Sequence, residues 1–156
     1  MRLVAGRVPA DTPRTVQPID VHAVLVALAP EWGVASITHE VVLTTEAGTS
    51  VICDARALSA ACLALVTSAV QRTPEGKQIW VTALPRDDRV DIVVEDDGPG
   101  FSDREWTEVI APALAARTGD PLGTGWDLAE VDRFGATVSA ATGPSGTTFT
   151  MTLPAA

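Results

Sequence analysis

A chain of 156 residues, 46% of them hydrophobic, is long enough to bury one sizeable core and too short for two comfortable domains. Eleven basic residues against twenty acidic ones leave a net charge of −9, and Lys and Arg nowhere cluster, so the cationic footprint that nucleic acid or an anionic membrane requires is missing. Cys53 and Cys62 stand in apolar runs without metal-type spacing, no leader pattern opens the chain, and no apolar stretch approaches the roughly 18 residues of a membrane span, which together predict a cytoplasmic piece with reduced thiols.

Taken in order, residues 1–18 carry Pro9, Pro13 and Pro18 among scattered polar residues. They read as a linker or the frayed end of a preceding element, which leaves 19–156 as the folded domain. From Ile19 onward, Val21, Val24, Leu25 and Leu28 recur at helical spacing behind Asp20, a suitable N-cap, until Pro30 and Gly33 stop the helix. Val41 to Thr45 and Thr49 to Cys53 flank Glu46-Ala47-Gly48 and predict a hairpin of two β-branched strands. Asp54 then caps a long helix, along which Leu58, Ala61, Cys62, Leu65, Val66, Ala69 and Val70 make a continuous apolar stripe that ends before Pro74.

A second hairpin pairs Gln78 to Leu84 with Arg89 to Glu95 across Pro85-Arg86-Asp87-Asp88. Its second strand runs into Asp96-Asp97-Gly98-Pro99-Gly100-Phe101, where apolar alternation gives way to two carboxylates and a Gly-Pro-Gly turn. Such a turn lets the backbone come close to a ligand, although by itself it is equally a solvated hairpin. Ser102 to Ala116 is helix-like with poor periodicity, and the turn-rich Arg117 to Gly125 follows, the composition of a lid. A short helix from about Trp126 to Phe134 and a third hairpin, Thr137 to Ala141 with Thr147 to Leu153, complete the chain. Strands that arrive as hairpins between helices predict an α+β fold, a two-layer α/β sandwich with a mixed, mostly antiparallel sheet and helices on one face.

Three features combine: the glycine turn after Asp97, the Gly123-Thr124-Gly125 turn ahead of a helix, and the long helix two strands upstream. In this order they resemble the GHKL superfamily, and within it the C-terminal ATP-binding domain of bacterial sensor histidine kinases, over about residues 3 to 154. Val51-Ile52-Cys53-Asp54 with the helix after it and Gln71-Arg72-Thr73-Pro74-Glu75-Gly76 is similar to the family's asparagine box. Asp97-Gly98-Pro99-Gly100-Phe101 is similar to its first glycine box, Gly123-Thr124-Gly125 to its second, and Gly146 to Pro154 to its closing strand. The resemblance implies a Bergerat-fold pocket for ATP and Mg²⁺ beneath the lid. It also implies two partners, a histidine-containing dimerisation domain, whose end residues 1–18 would then be if they are not a linker, and a response regulator.

Within that pocket a buried carboxylate at Asp97 would accept from the exocyclic amine of adenine and reject guanine, which offers a carbonyl there. Thr147 would add a hydroxyl beside it, as the resemblance implies. Gly98 and Gly100 shape the turn, while Gly123, Thr124 and Gly125 would aim backbone N–H groups at phosphate ahead of a helix. Asp127, just beyond, would either repel phosphate or cap that helix.

The long helix departs from the pattern. Ala64, Ser68, Gln71 and Arg72 share one face, off the apolar stripe, and none keeps the identity the family typically has there. Losing two contacts to charged groups, each contributing roughly 1.5–3 kcal/mol, would remove about 3–6 kcal/mol from the roughly 8 kcal/mol of a micromolar ligand. Substitutes are at hand in Ser68, whose hydroxyl would ligate Mg²⁺, and in Arg72 or Arg117, which would restore positive charge; otherwise Ser68 and Arg72 are plain surface residues. The alternative is a non-catalytic, kinase-like module that docks a regulator or a partner kinase without ATP. If active, the chain is the catalytic half of a protein-histidine kinase. His39-Glu40 echoes a phosphoacceptor pair, but His39 precedes a strand and lacks the following basic residue and proline.

Overall fold

Every second residue of Arg89–Asp96 is buried, namely Val90, Ile92, Val94 and Asp96, and this strand lies at the centre of a five-stranded sheet. The computed structural model describes residues 16–32, 38–133 and 135–156. Their elements are β1 (Gln17–Asp20), α1 (Val21–Leu28), a 3₁₀ turn (Ala29–Trp32), β2 (Glu40–Thr44), β3 (Ser50–Cys53), α2 (Ala55–Arg72), β4 (Gln78–Arg86) and β5 (Arg89–Asp96). There follow α3 (Asp103–Glu105), which passes through a π-helical turn (Trp106–Ile110) into α4 (Ala111–Ala116), then α5 (Leu128–Asp132), β6 (Thr137–Gly143) and β7 (Gly146–Pro154).

The sheet has the order β2-β4-β5-β7-β6, antiparallel throughout except for the parallel pair β2–β4. Two of the three expected hairpins form, β4–β5 and β6–β7. The first does not. β2 pairs with β4, Val41 opposite Ile79, whereas β3 pairs with β1 in a separate two-stranded sheet, Val51 opposite Ile19. The turn around Gly48 allowed either outcome, and burial decides it: β3 buries Val51 and Cys53 completely, while β2 stays half exposed at the edge of the large sheet. Gln17 and Pro18, expected in the linker, are thereby part of β1. The rest of the expected linker, apart from Val16, lies outside the described residues, as do Gly33 and Phe134.

Asp54 caps α2 through Oδ1, which accepts from the N–H groups of Arg56 and Ala57 at 3.0 and 3.1 Å. The helix packs on β4 and β5 on one side and on α1 on another, so that every residue from Ala61 to Ala69 is buried. Small side chains make this possible, because Ala61, Ala64, Ser68 and Ala69 let neighbouring elements approach closely. On the far side of the sheet Trp80, Thr82, Asp91, Val93, Thr148, Thr150 and Thr152 are all partly exposed, and the Thr152 hydroxyl donates to Asp91 Oδ1 at 2.7 Å. A sheet with one apolar and one polar face supports two layers, the architecture the sequence predicts.

Candidate functional site

The inward series of β5 ends on Asp96, only 6% exposed, and Asp97 therefore takes the opposite face. The buried carboxylate expected at Asp97 is that of Asp96. Asp97 is partly exposed, and its Oδ1 accepts from the N–H of Gln78 at 3.0 Å, tying the end of β5 to the start of β4. Counting by twos from Ile92 would have found this. Asp96 Oδ1 accepts from the N–H of Gly98 at 3.0 Å, and across the strand pair Asp96 stands directly opposite Thr147, which is 1% exposed.

Thr147 and Thr142 share a hydroxyl–hydroxyl hydrogen bond of 3.1 Å, and Thr142 Oγ1 accepts from the N–H of Phe101 at 2.9 Å, so the β6–β7 hairpin holds the glycine turn in place. The turn needs its glycines. At Gly100, with φ +76°, a β-carbon would collide with the carbonyl of Gly143 and lie 2.7 Å from Thr142 Oγ1. At Gly98 it would lie 3.1 Å from the carbonyl of Arg72, so the turn is seated on the last turn of α2.

Arg72, the final residue of α2, reaches into this corner. Its Nη2 is 3.2 Å from Asp96 Oδ2, Nη1 donates to Ser68 Oγ, and the guanidinium lies over the ring of Phe101, 4.3 Å from its centre, and 5.5 Å from that of Phe149. Phe101 in turn meets Phe149 edge to face at 6.2 Å and Trp106, in the lid segment, at 6.3 Å. Burial pushes the Arg72 guanidinium below its ordinary value, against the pull of Asp96 and, more weakly, Glu105; an arginine stays charged even so. Ser68 and Arg72 are thus neither solvated nor idle. Arg72 Nε is buried and has no hydrogen-bond partner among the described residues.

This geometry bears on the expected metal. The Ser68 hydroxyl accepts from a guanidinium, so a divalent cation there would face a positive charge at contact distance. Ala64 offers no donor atom and Gln71 is exposed. Among the described residues no group of three or more His, Cys, Asp or Glu side chains could hold a metal ion, and in this arrangement α2 does not fit Mg²⁺.

In the second glycine turn Asp120 Oδ1 accepts from the N–H of Thr124 at 3.2 Å and Oδ2 from that of Gly125 at 2.8 Å, while Gly123 N–H donates to the Asp120 carbonyl at 3.3 Å. The turn does not abut α5. Trp126, which is buried, and Asp127 intervene, and Asp127 caps the helix by accepting from Ala129 N–H at 2.9 Å while also accepting from Gly119 N–H at 3.0 Å. Of the two roles open to Asp127, capping is the one it performs. Arg117 ends α4 in the left-handed region, φ +58°, and lines a cleft of about 230 Å³ with Leu114, Leu128, Val131 and Val138, to which neither Asp96 nor Thr147 contributes. The role of Asp120 had no signal in the sequence beyond an acid preceding the glycines.

His39 is structural. Its buried ring joins Thr38 Oγ1 at 2.8 Å and the carbonyl of Thr73, just past α2, at 2.6 Å, so both nitrogens are engaged.

A five-stranded mixed sheet with α2 packed on one face and α1 packed against α2, and with a carboxylate and a threonine opposite each other at one end beside a glycine turn, defines a histidine-kinase-like ATPase fold. Residues 53–156 match the profile of the family described as histidine kinase-, DNA gyrase B-, and HSP90-like ATPase, and the chain belongs to that family, whose members bind ATP, usually with Mg²⁺. Among solved structures it is similar to the mycobacterial sensor histidine kinase MprB, at 23% identity and TM-score 0.72, over 90% of this chain and 98% of that one. It is likewise similar to the Acinetobacter baumannii histidine kinase AdeS, at 18% and 0.71, over 92% and 68% of the two chains. Full-length ShkA in complex with AMPPNP matches at 23% and 0.70, over 94% of this chain and 32% of that one. No curated protein sequence matches. Among the described residues no helix is long and apolar enough to cross a membrane.

Proposed function

We propose that this chain is the ATP-binding catalytic domain of a two-component sensor histidine kinase. It would present the γ-phosphate to a histidine on a separate dimerisation domain, from which a response regulator draws the phosphoryl group, with the whole exchange in the cytoplasm. The observation that carries the reading is Asp96, a carboxylate buried at a strand end directly opposite Thr147 in a chain of this family.

The chemistry follows from the residues. Asp96 accepts from the exocyclic amine of adenine, with the Thr147 hydroxyl beside it, and disfavours guanine because two acceptors would then face each other unpaired. Phe101 and Phe149 give the purine an apolar wall next to that carboxylate. The N–H groups of Gly123, Thr124 and Gly125, with Arg117 at the end of α4, would meet the phosphates. Catalysis by such a site is positioning and charge compensation, and the helical segment from Asp103 to Ala116 is suited to exclude water.

The test is titration with ADP and ATP by calorimetry, then incubation of ATP with a dimerisation domain and measurement of acid-labile phosphohistidine. Asp96→Ala should abolish binding, whereas Asp97→Ala, which loses only the bond to Gln78, should leave it within about twofold. Unchanged affinity in Asp96→Ala would remove the base-reading role.

A further inference from the structure

The nucleotide site already contains ligands, and they belong to the chain. We infer that Arg72 and Asp120 act as internal surrogates for the two poles of ATP, the guanidinium standing where the adenine amine binds and the carboxylate where phosphate binds, and that nucleotide enters only by displacing them. This inference rests on the proposed ATP-binding reading and concerns what sets the affinity and occupancy of that site.

At the base end, both oxygens of Asp96 are engaged, Oδ1 by the Gly98 N–H and Oδ2 by Arg72 Nη2. The guanidinium is a planar cation that donates hydrogen bonds from its edge and stacks through its face, the same two modes a purine amine and ring would use. It uses both, donating to Asp96 and lying 4.3 Å above the ring centre of Phe101. At the phosphate end, the N–H groups of Thr124 and Gly125 converge on one carboxylate, each of its two oxygens taking one donor. A carboxylate on converging backbone N–H groups is an internal counterpart of a bound phosphate.

The two surrogates have different strengths. Arg72 is largely buried, held also by Ser68, and its Nε has no partner among the described residues, so its seat is not fully complementary and a better donor set can replace it. Asp120 is exposed, and water can take over its place at little cost. Adenine binding is therefore the step opposed most strongly. Because Phe101 touches both the guanidinium and Trp106, release of Arg72 also frees a contact at the root of the lid segment.

Calorimetric titration of the purified chain with adenosine, inorganic pyrophosphate and ADP separates the ends. Arg72→Met, which keeps an unbranched apolar stem over Phe101, should bind adenosine and ADP at least tenfold more tightly than the parent chain and pyrophosphate no differently. Asp120→Asn should bind pyrophosphate a few-fold more tightly and adenosine unchanged. In the parent chain, the side-chain NMR signals of Arg72 should shift and exchange faster with water at ADP saturation, a readout that does not depend on any variant folding. If the parent binds ADP while Arg72→Met gains nothing or weakens, and the Arg72 signals stay fixed at saturation, the surrogate role fails and the ATP-binding reading stands. If neither protein binds adenosine or ADP, both fall together. Binding by Arg72→Met alone supports the surrogate in its strongest form, a site locked until Arg72 is withdrawn.

Discussion

Burial raises the thiol of Cys62 to about 12 and that of Cys53 to about 11, in both cases chiefly because a thiolate would lose its hydration. Both thiols should therefore stay silent toward maleimides at neutral pH while the chain is folded. The same shifts act on stability with a definite sign. Above the ordinary thiol value of 9.0, the unfolded chain releases protons that the folded chain still holds, so stability is intact below that pH and falls as pH rises toward 11 to 12. Each thiol contributes a limiting slope of about 1.4 kcal/mol per pH unit. Urea unfolding at pH 7.5, 9 and 10 should show a shallower alkaline loss in Cys62→Ala than in the parent, and equal slopes would count against a buried, neutral thiol. The other residue of consequence is Asp96. Strand parity made its burial readable in the sequence, whereas the burial of Arg72 was not, since its cage is completed by Phe149, a strand away and far along the chain.

At the level of elements, the β6–β7 hairpin is a brace for the glycine turn of β5. Gly146 begins β7 at φ +144°, and a β-carbon there would run into the carbonyl of Asp96. Gly146→Ala should cost about 2 kcal/mol or more by forcing β5 and β7 apart, and should weaken ADP binding in proportion because it moves Asp96. Chemical denaturation and calorimetry on one sample check both, and a neutral substitution would contradict the tight approach. The long helix was legible from its stripe and its Asp54 cap. What the stripe concealed is that the opposite face is buried too, because α1 covers part of it and small residues such as Ala64 and Ser68 carry no polarity strong enough to announce a surface. The failed β2–β3 hairpin has a similar cause. A short turn between two β-branched runs specifies that the chain reverses direction, but the choice of neighbours rests on β1 and β4, which lie outside any local window.

Across the whole molecule, the small β1–β3 sheet is fastened to the large one by the residues that follow β7. Val51 bridges Ala155, Ala156 N–H donates to the carbonyl of Ser50 at 3.0 Å, and Ala155 N–H donates to that of Asp88 at 2.8 Å. The two sheets share one core, in which Val51 and Cys53 belong to the same buried cluster as Ile79, Ile92 and Phe149. The parallel pairing of β2 with β4 has a kinetic consequence. β4, β5, β7 and β6 are joined to their neighbours by antiparallel ladders, two of them tight hairpins, whereas β2 reaches β4 only after β3 and the whole of α2 have been threaded between them. As a half-exposed edge strand held by a single parallel ladder, β2 gains few contacts to repay the chain entropy of closing that loop. It should consequently dock late, after the rate-limiting barrier. In stopped-flow refolding, Leu43→Ala on β2 should leave the folding rate almost unchanged and accelerate unfolding, while Val94→Ala at the centre of β5 should slow folding itself. The edge of the sheet would then be the last part to assemble and the first to open.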